Sequence, residues 1–360
     1  MMAPLVSVVM ATYNHEPFVA EAIDSVLSQD GVNFEFLIGD DGSSDRTREV
    51  IAGYSDRRIS FFPHQINRGA CTVINELIVR AEGEYVAIIN SDDVWEENKL
   101  KRQLNLLEAR PEIAASFGRV SYIDRNSQSI DKNSIHFGLA YDQDNRSSSK
   151  WLRYFFDKAN CLCHPTVLIR RQCYKEVGLY DNRFRQLPDF DMWIRIVKKF
   201  EIHISEHDLI KFRIIHGENA SSQIANNAIR TMNEHYLIAN NFFDGVTRNQ
   251  LIEGFDDLLY CKDVPTREHL DIEKVLLYFH ANRWLGKPYQ LIGLLKLNQL
   301  LGSPAHQELL LNIYRIDDAW FHDKMGKVDV LRPNLNSVVR SSAYILRDVL
   351  RKARFPLGAL

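Results

Sequence analysis

Cysteine is scarce in this chain: five in 360 residues, an odd number without paired spacing. Small secreted domains stapled by disulfides carry a dense, even set, so that organisation is excluded and a reducing compartment is expected. Cys161 and Cys163 stand too close for a structural zinc pair and read as packing residues. Long apolar runs are missing as well; none approaches the ~20 residues that a helix needs to cross a bilayer. The opening MMAPLVSVVMATYN turns polar too early for a secretory leader and has no basic flank. Excess charge of one sign is also absent. With 44 Lys and Arg against 47 Asp and Glu, the net charge of -3 leaves no electrostatic footprint for nucleic acid, which is not expected as a partner. The expectation is a cytosolic protein.

What the chain does have is a regular first half. Short apolar runs, LVSVVMA (5–11), FEFLIG (34–39) and EYVAIIN (84–90), have the near-continuous hydrophobicity of strands buried on both faces. Helical patterns separate them: EPFVAEAIDSVLSQ with Pro17 near its start, SDRTREVIAGY with Ser43 or Ser44 as N-cap and Asp45 in its first turn, and CTVINELIVRA. This alternation predicts an α/β fold with a mostly parallel open sheet, in which ligands bind beyond the carboxyl ends of the strands. Residues 120–165 are polar and irregular and read as a loop or lid over that edge. Strand-like TVLIR (166–170), helix-like RQCYKEVG and DFDMWIRIVKKF, and one or two strands in EIHISEHDLIKFRII (201–215) follow. From about Ala225 the spacing becomes helical, which divides the chain into a 1–224 domain and a helical 225–360 region.

Polar groups gather at the expected strand ends: Thr12-Tyr13-Asn14, Asp40-Asp41-Gly42-Ser43, and Ser91-Asp92-Asp93. Each cluster alone reads as a turn or an N-cap. Three on one edge repel one another unless a cation or a donor-rich ligand joins them. Mg²⁺ and Mn²⁺ prefer oxygen ligands and need few carboxylates when phosphate oxygens complete the shell. A nucleotide diphosphate with Mn²⁺ or Mg²⁺ therefore suits the site, with the metal stabilising the diphosphate as a leaving group.

In order and spacing, these segments resemble the family 2 glycosyltransferases with the GT-A, Rossmann-like fold. VSVVMATYNHEPFVAEAIDSVLSQ, FLIGDDGSSDRT, INRGACTVINELIVRAEGEYVAIINSDDVW, HPTVLIRRQCYKEVGLYDNRF with LPDFDMWIRI, and FRIIHGENAS carry the resemblance, from Pro4 to Ser222. It implies an inverting transfer from a nucleotide diphosphate sugar, a UDP-sugar by expectation, to a hydroxyl of a glycan or lipid-linked acceptor in bacterial surface-polysaccharide assembly. It implies that Thr12, Tyr13 and Asn14 line the nucleotide pocket and that Asp40 hydrogen-bonds the base, with Asp41 beside it. Ser91, Asp92 and Asp93 match the metal and diphosphate motif, with Asp93 as the more direct ligand. Asp189 matches the catalytic base, with Asp191 as competitor because Pro188 stands where the family often has Glu. Asn90 replaces a frequent carboxylate, and Ile74 replaces the frequent Arg before Asn75, so Arg68 is the candidate replacement charge. His216 serves metal and diphosphate or is structural. His164 belongs to the acceptor side or to a turn. HANRW (280–284) lacks the first residue of the processive-synthase signature and is not read as one.

Two alternatives of other classes remain at this level. One is a catalytically inactive nucleotide-sugar or glycan-binding module on the same scaffold. The other, a sugar nucleotidyltransferase, needs a Gly- and Arg-rich loop that ATYNHEPF lacks. The tail NSVVRSSAYILRDVLRKARFPLGAL is basic and amphipathic; it lies on the inner face of an anionic membrane as a peripheral contact, or caps its own domain. Acceptor orientation and homodimer formation are the other roles considered for the helical region.

Overall fold

The computed structural model describes residues 4–215, 225–280 and 285–328. The expected alternation is present: β1 (Val6–Thr12), α1 (Val19–Leu27), β2 (Phe34–Asp40), α2 (Thr47–Ala52), β3 (Ile59–Pro63), α3 (Ala70–Arg80) and β4 (Tyr85–Ile88). β1 pairs in parallel with both β2 and β4, and β2 with β3. Val6, Val8, Val9 and Met10 are all fully buried, so β1 is covered on both faces, as a strand in a parallel sheet must be. α1 buries Val19, Ala22, Ile23 and Val26, the i, i+3, i+4, i+7 stripe of an amphipathic helix. Each fully buried Val or Ile of this set contributes about 1.5–3 kcal/mol of apolar transfer.

The second half of the sheet is mixed. It uses β5 (Val94–Trp95), β6 (Ile113–Ile123), β7 (Ser129–Ile130), β8 (Leu168–Arg170) and β9 (Glu201–Arg213). The order is β3-β2-β1-β4-β8-β6-β9-β5, with β7 on β6. β8 runs antiparallel to β4 and to β6, whereas β9 is parallel to β6. The helices here are α4 (Lys99–Ala109), α5 (Ser148–Lys158), α6 (Gln172–Val177), α7 (Pro188–Val197), α8 (Ala225–Asn240) and α9 (Arg248–Phe255).

Two expectations change. The segment read as an irregular lid ends in α5, whose buried face is Trp151, Leu152, Phe155 and Phe156. Its serine-rich start conceals that helical spacing. The chain also divides into compact units Met1–Phe255 and Asp256–Leu360, rather than at 224/225. The cause is aromatic packing. Phe242, Phe243 and Phe255 sit 5.3, 4.9 and 6.0 Å from Phe156 of α5, which ties α8 and α9 to the sheet-bearing unit. The second unit is helical as expected, with α10 (Arg267–Leu276), α11 (Gly286–Leu300), α12 (Pro304–Asn312) and α13 (Asp318–Lys327). They enclose Ile272, Val275, Leu276, Leu297 and Leu310. Among the described residues no helix is long and apolar enough to cross a membrane. His216, the 281–284 part of HANRW and the basic tail lie outside the described residues.

Candidate active site

The ends of β1 and β2 are laced together. Asp41 N–H donates to Thr12 O at 2.8 Å. Asn14, in the left-handed region at φ 52°, donates its N–H to Ser43 Oγ at 2.9 Å and accepts from Ser44 N–H at 2.8 Å. Gly42 has φ +82°, and a Cβ there would lie 2.6 Å from the backbone of Ile66, so the turn admits glycine alone without displacing that loop. The helix after it starts at Thr47, not near Ser43 or Ser44. Asp45 accepts from both the Thr47 N–H (3.0 Å) and hydroxyl (2.6 Å).

These bonds assign Asp40 and Asp41 structural work. Asp41 is buried and accepts from the N–H groups of Arg68 (2.6 Å) and Gly69 (2.8 Å), which fixes the loop leading into α3. Asp40 is fully buried and accepts from Ser43 and from the Arg48 guanidinium, which also donates to His64 O. Thr12 is buried behind this turn, whereas Tyr13 is 45% exposed.

The Asp pair after β4 splits in the same manner. Asp93 is 1% exposed; its carboxylate accepts from Arg213 N–H at 2.8 Å and from the Asn90 amide at 2.9 Å. Burial, and then the neighbouring Asp92, push its carboxyl well above the ordinary range. Asp92 instead lines a cleft of about 390 Å³ with Tyr13, Asn14, His15, Phe18 and Arg125. Of the two, Asp92 is the residue that lines the cleft, and the Asp93 carboxylate, which the sequence favoured as the more direct ligand, is buried beside it. Ser91 is buried and its hydroxyl bonds His15 Nδ1 at 2.7 Å. Oxygen donors facing a cleft beside a buried second carboxylate fit a hard divalent cation completed by phosphate oxygens. Among the described residues no three His, Cys, Asp or Glu side chains form a ready cage.

Asp189 and Asp191 sit in the first turn of α7, where carboxylates suit the helix dipole. Asp191 is held by Arg195, Nη2 to Oδ2 at 2.8 Å, and Arg195 also donates to the carbonyls of Val177, Gly178 and Leu179. Asp189 is partly exposed and accepts from the Asn160 amide at 2.8 Å. Its crowded surroundings push the carboxyl up to about 6 against the relief given by Asn160. Burial holds the Cys163 thiol and the Tyr141 hydroxyl well above their ordinary values, and the charges of Asp93 and Asp189 add to it.

Arg68 and Asn75 fall elsewhere. They line a separate hollow of about 640 Å³ with Thr72, Glu76 and Leu179. Arg68 pairs with Glu76 at 2.6 Å. Asn75 bonds the Tyr180 carbonyl (2.8 Å), the Tyr180 N–H (3.0 Å) and Asn182 (3.0 Å), clipping α3 to the 180–182 turn. His164 bonds the Tyr180 hydroxyl at 3.0 Å, and burial lowers its pKa to about 4.

Sequence reasoning missed Arg213, which is 1% exposed. Its guanidinium donates to Asp92 O (2.8 Å), Asp124 O (2.9 Å), Ser127 Oγ (3.0 Å) and Glu21. It lies 5.0 Å from the Phe18 ring, and Arg125 lies 5.5 Å from the same ring. The available signal was a lone arginine inside the apolar run FRII. Asn160, His15 and Arg125 carried no signal, because their roles depend on partners distant in sequence.

Fold, cleft and acidic doublets together define a nucleotide-sugar-binding α/β enzyme. The model of Glycosyl transferase family 2 matches residues 7–178. The putative teichuronic acid biosynthesis glycosyltransferase TuaG of Bacillus subtilis is 31% identical over 225 residues, 61% of this chain and 83% of TuaG. Two solved structures share the fold. Staphylococcus aureus TarS 1-349 in complex with UDP-GlcNAc has a TM-score of 0.55 at 17% identity, covering 82% of this chain and 86% of TarS 1-349. The mannosyltransferase PcManGT of Pyrobaculum calidifontis, in complex with GDP-Man and Mn²⁺, has a TM-score of 0.52 at 15% identity, covering 92% and 89%. The chain belongs to glycosyl transferase family 2 and is a glycosyltransferase.

Proposed function

We propose that this glycosyltransferase inverts the anomeric centre as it moves one sugar from a UDP-sugar to a hydroxyl of a glycan or lipid-linked glycan. Surface-polysaccharide assembly is the proposed setting, in keeping with the name of its relative TuaG. The observation that carries the mechanism is the contrast between two carboxylates two residues apart in the first turn of α7. Burial raises both carboxyls, but Asp191 is paired with the Arg195 guanidinium, whereas Asp189, pushed up to about 6, accepts from the uncharged Asn160 amide and nearby backbone N–H groups.

A general base works best when its pKa lies near the operating pH. Asp189 is therefore the base that takes the acceptor hydroxyl proton as that oxygen attacks the anomeric carbon. Tyr13 and Asn14 border the nucleotide and Asp92 borders the diphosphate, because they line one cleft. Asp40 and Asp41 hold the turn that shapes it. Asp92, with Asp93 behind it and His216 as a further candidate ligand, is the proposed place for Mn²⁺ or Mg²⁺. A cation bound there supplies charge neutralisation to the departing diphosphate.

The test is nucleotide release from a panel of UDP-sugars and other nucleotide sugars, with and without Mn²⁺ and with glycan acceptors. Asp189→Asn should abolish transfer while donor binding persists. Transfer that survives Asp189→Asn would refute this assignment. Donor binding without turnover under every condition would favour a binding module.

A further inference from the structure

The geometry points to Glu234, on α8, as a positioning residue that sets the place and charge of Asp189. This inference rests on Asp189 being the base. Glu234 is 4% exposed. Its Oε1 accepts from Arg185 N–H at 2.9 Å, and its Oε2 accepts from Gln186 N–H and Leu187 N–H, both at 2.8 Å. Those are the three residues immediately before α7, which begins at Pro188. The N-cap, Leu187, offers no side-chain acceptor, and Pro188 has no N–H. One carboxylate from a helix about fifty residues away thus anchors the run of amides that aims the first turn of α7. Phe190 against His235 at 5.6 Å locks α7 onto α8 beside it.

The same carboxylate acts on Asp189 through space. Burial is the main cause of the raised Asp189 carboxyl, and the negative charge of Glu234 adds to it. Of the other titratable groups near Asp189, the thiols, the phenols and His235 stay neutral around pH 6. Cys163, Tyr141 and Tyr180 are held well above their ordinary values by burial, and Cys71 is pushed up to about 12. His235 is lowered to about 4. Asp191 and Asp181 are paired with Arg195 and Arg183. Glu234 is thus both a strut and a charge for the base, supplied from beyond the 7–178 segment that the family model matches.

The experiment measures kcat, KM and donor affinity for wild type, Glu234→Gln and Glu234→Asp across pH 4.5–8.5. Glu234→Gln removes the charge and replaces one acceptor with a donor that faces backbone N–H groups. It should lower kcat about 10-fold or more through mispositioning, with donor affinity changed less than ~2-fold, and should move the acid limb of the kcat profile to lower pH. Glu234→Asp keeps the charge on a shorter arm, so kcat should fall while the acid limb stays in place. If Glu234→Gln does not fold, Glu234→Asp carries the test: unchanged kcat overturns the proposal. A folded Glu234→Gln with wild-type kcat and limb overturns it too, as does a parallel loss of donor affinity. Asp189→Asn run alongside separates the two claims, since retained transfer there removes the base assignment, whereas its loss with an indifferent Glu234 removes this inference alone.

Discussion

Replacing Asp189 by Asn should make the protein more stable and nearly inactive, with both effects set by one number. The carboxyl is raised from 3.8 to about 6 in the folded state. At about 1.36 kcal/mol per pKa unit, holding that charge costs the native state up to ~3 kcal/mol at neutral pH. A realistic expectation is ~1–3 kcal/mol, because the side chain is partly exposed. The sign fixes the window. A folded pKa above the unfolded one favours the protonated native state, so the cost is full above about pH 6. It fades as pH falls from there and is gone below 3.8. Asn is uncharged and can still accept from Asn160 through its amide oxygen. Asp189→Asn should therefore melt several degrees higher at pH 7.5 and match wild type near pH 4. Its kcat should fall about 10²–10⁴-fold, the usual contribution of a general base. Differential scanning calorimetry across pH, beside nucleotide-release kinetics, tests both halves. A stability gain that does not depend on pH, or an unstabilised variant, would refute the account of Asp189.

Asp191→Asn breaks the Arg195 pair but also removes a charge that burial disfavours, so denaturant melts should shift by no more than about 1 kcal/mol and most of kcat should remain. Arg213→Met leaves the carbonyls of Asp92 and Asp124 and the Ser127 hydroxyl without their donor. A loss of about 3–5 kcal/mol is expected by urea titration, and a variant within 1 kcal/mol of wild type would contradict the buried-cation reading. Asp92→Asn should weaken metal-stimulated turnover about 10-fold or more while thermal stability shifts by less than ~1 kcal/mol, since Asp92 lines the cleft; a wild-type Mn²⁺ response would count against it.

The strands buried on both faces were legible because burial leaves a continuous apolar run, as in β1 and β2. β6 was not, although it is eleven residues long. Its pairing with β9 shifts register near Gly118 and Arg119, which breaks the alternation that reveals a strand. β3 is only partly buried and reads as ordinary surface. The acidic clusters were legible as clusters, because strand ends of a parallel sheet converge on one edge. Which carboxylate of a pair turns outward was not, since loop side chains follow no periodicity. Glu234 was invisible for a different reason: its partners are the backbone N–H groups of Arg185, Gln186 and Leu187, and a backbone group leaves no signature in residue types.

A doublet of like charges looks wasteful until its members are separated by what they bond. Asp93 braces its loop against Arg213 N–H and Asn90 while Asp92 lines the cleft. Asp191 braces α7 through Arg195 while Asp189 accepts from the Asn160 amide. In each case one member braces the backbone that carries the other. Each donor to a bracing carboxylate favours its charged form, although burial still outweighs the donors at Asp93 and Asp191 and holds both carboxyls above the ordinary range. The pair after β2 follows the first half of this rule twice. Asp41 anchors the 68–69 backbone, and Asp40 is bonded to Ser43 and Arg48. For Asp40 to meet a nucleobase, Arg48 must first give way or be shared. Arg48→Met should therefore alter donor affinity rather than kcat, whereas the Asp189 substitutions alter kcat alone. Isothermal titration with UDP decides it, and an unchanged affinity would confine Asp40 to holding the turn.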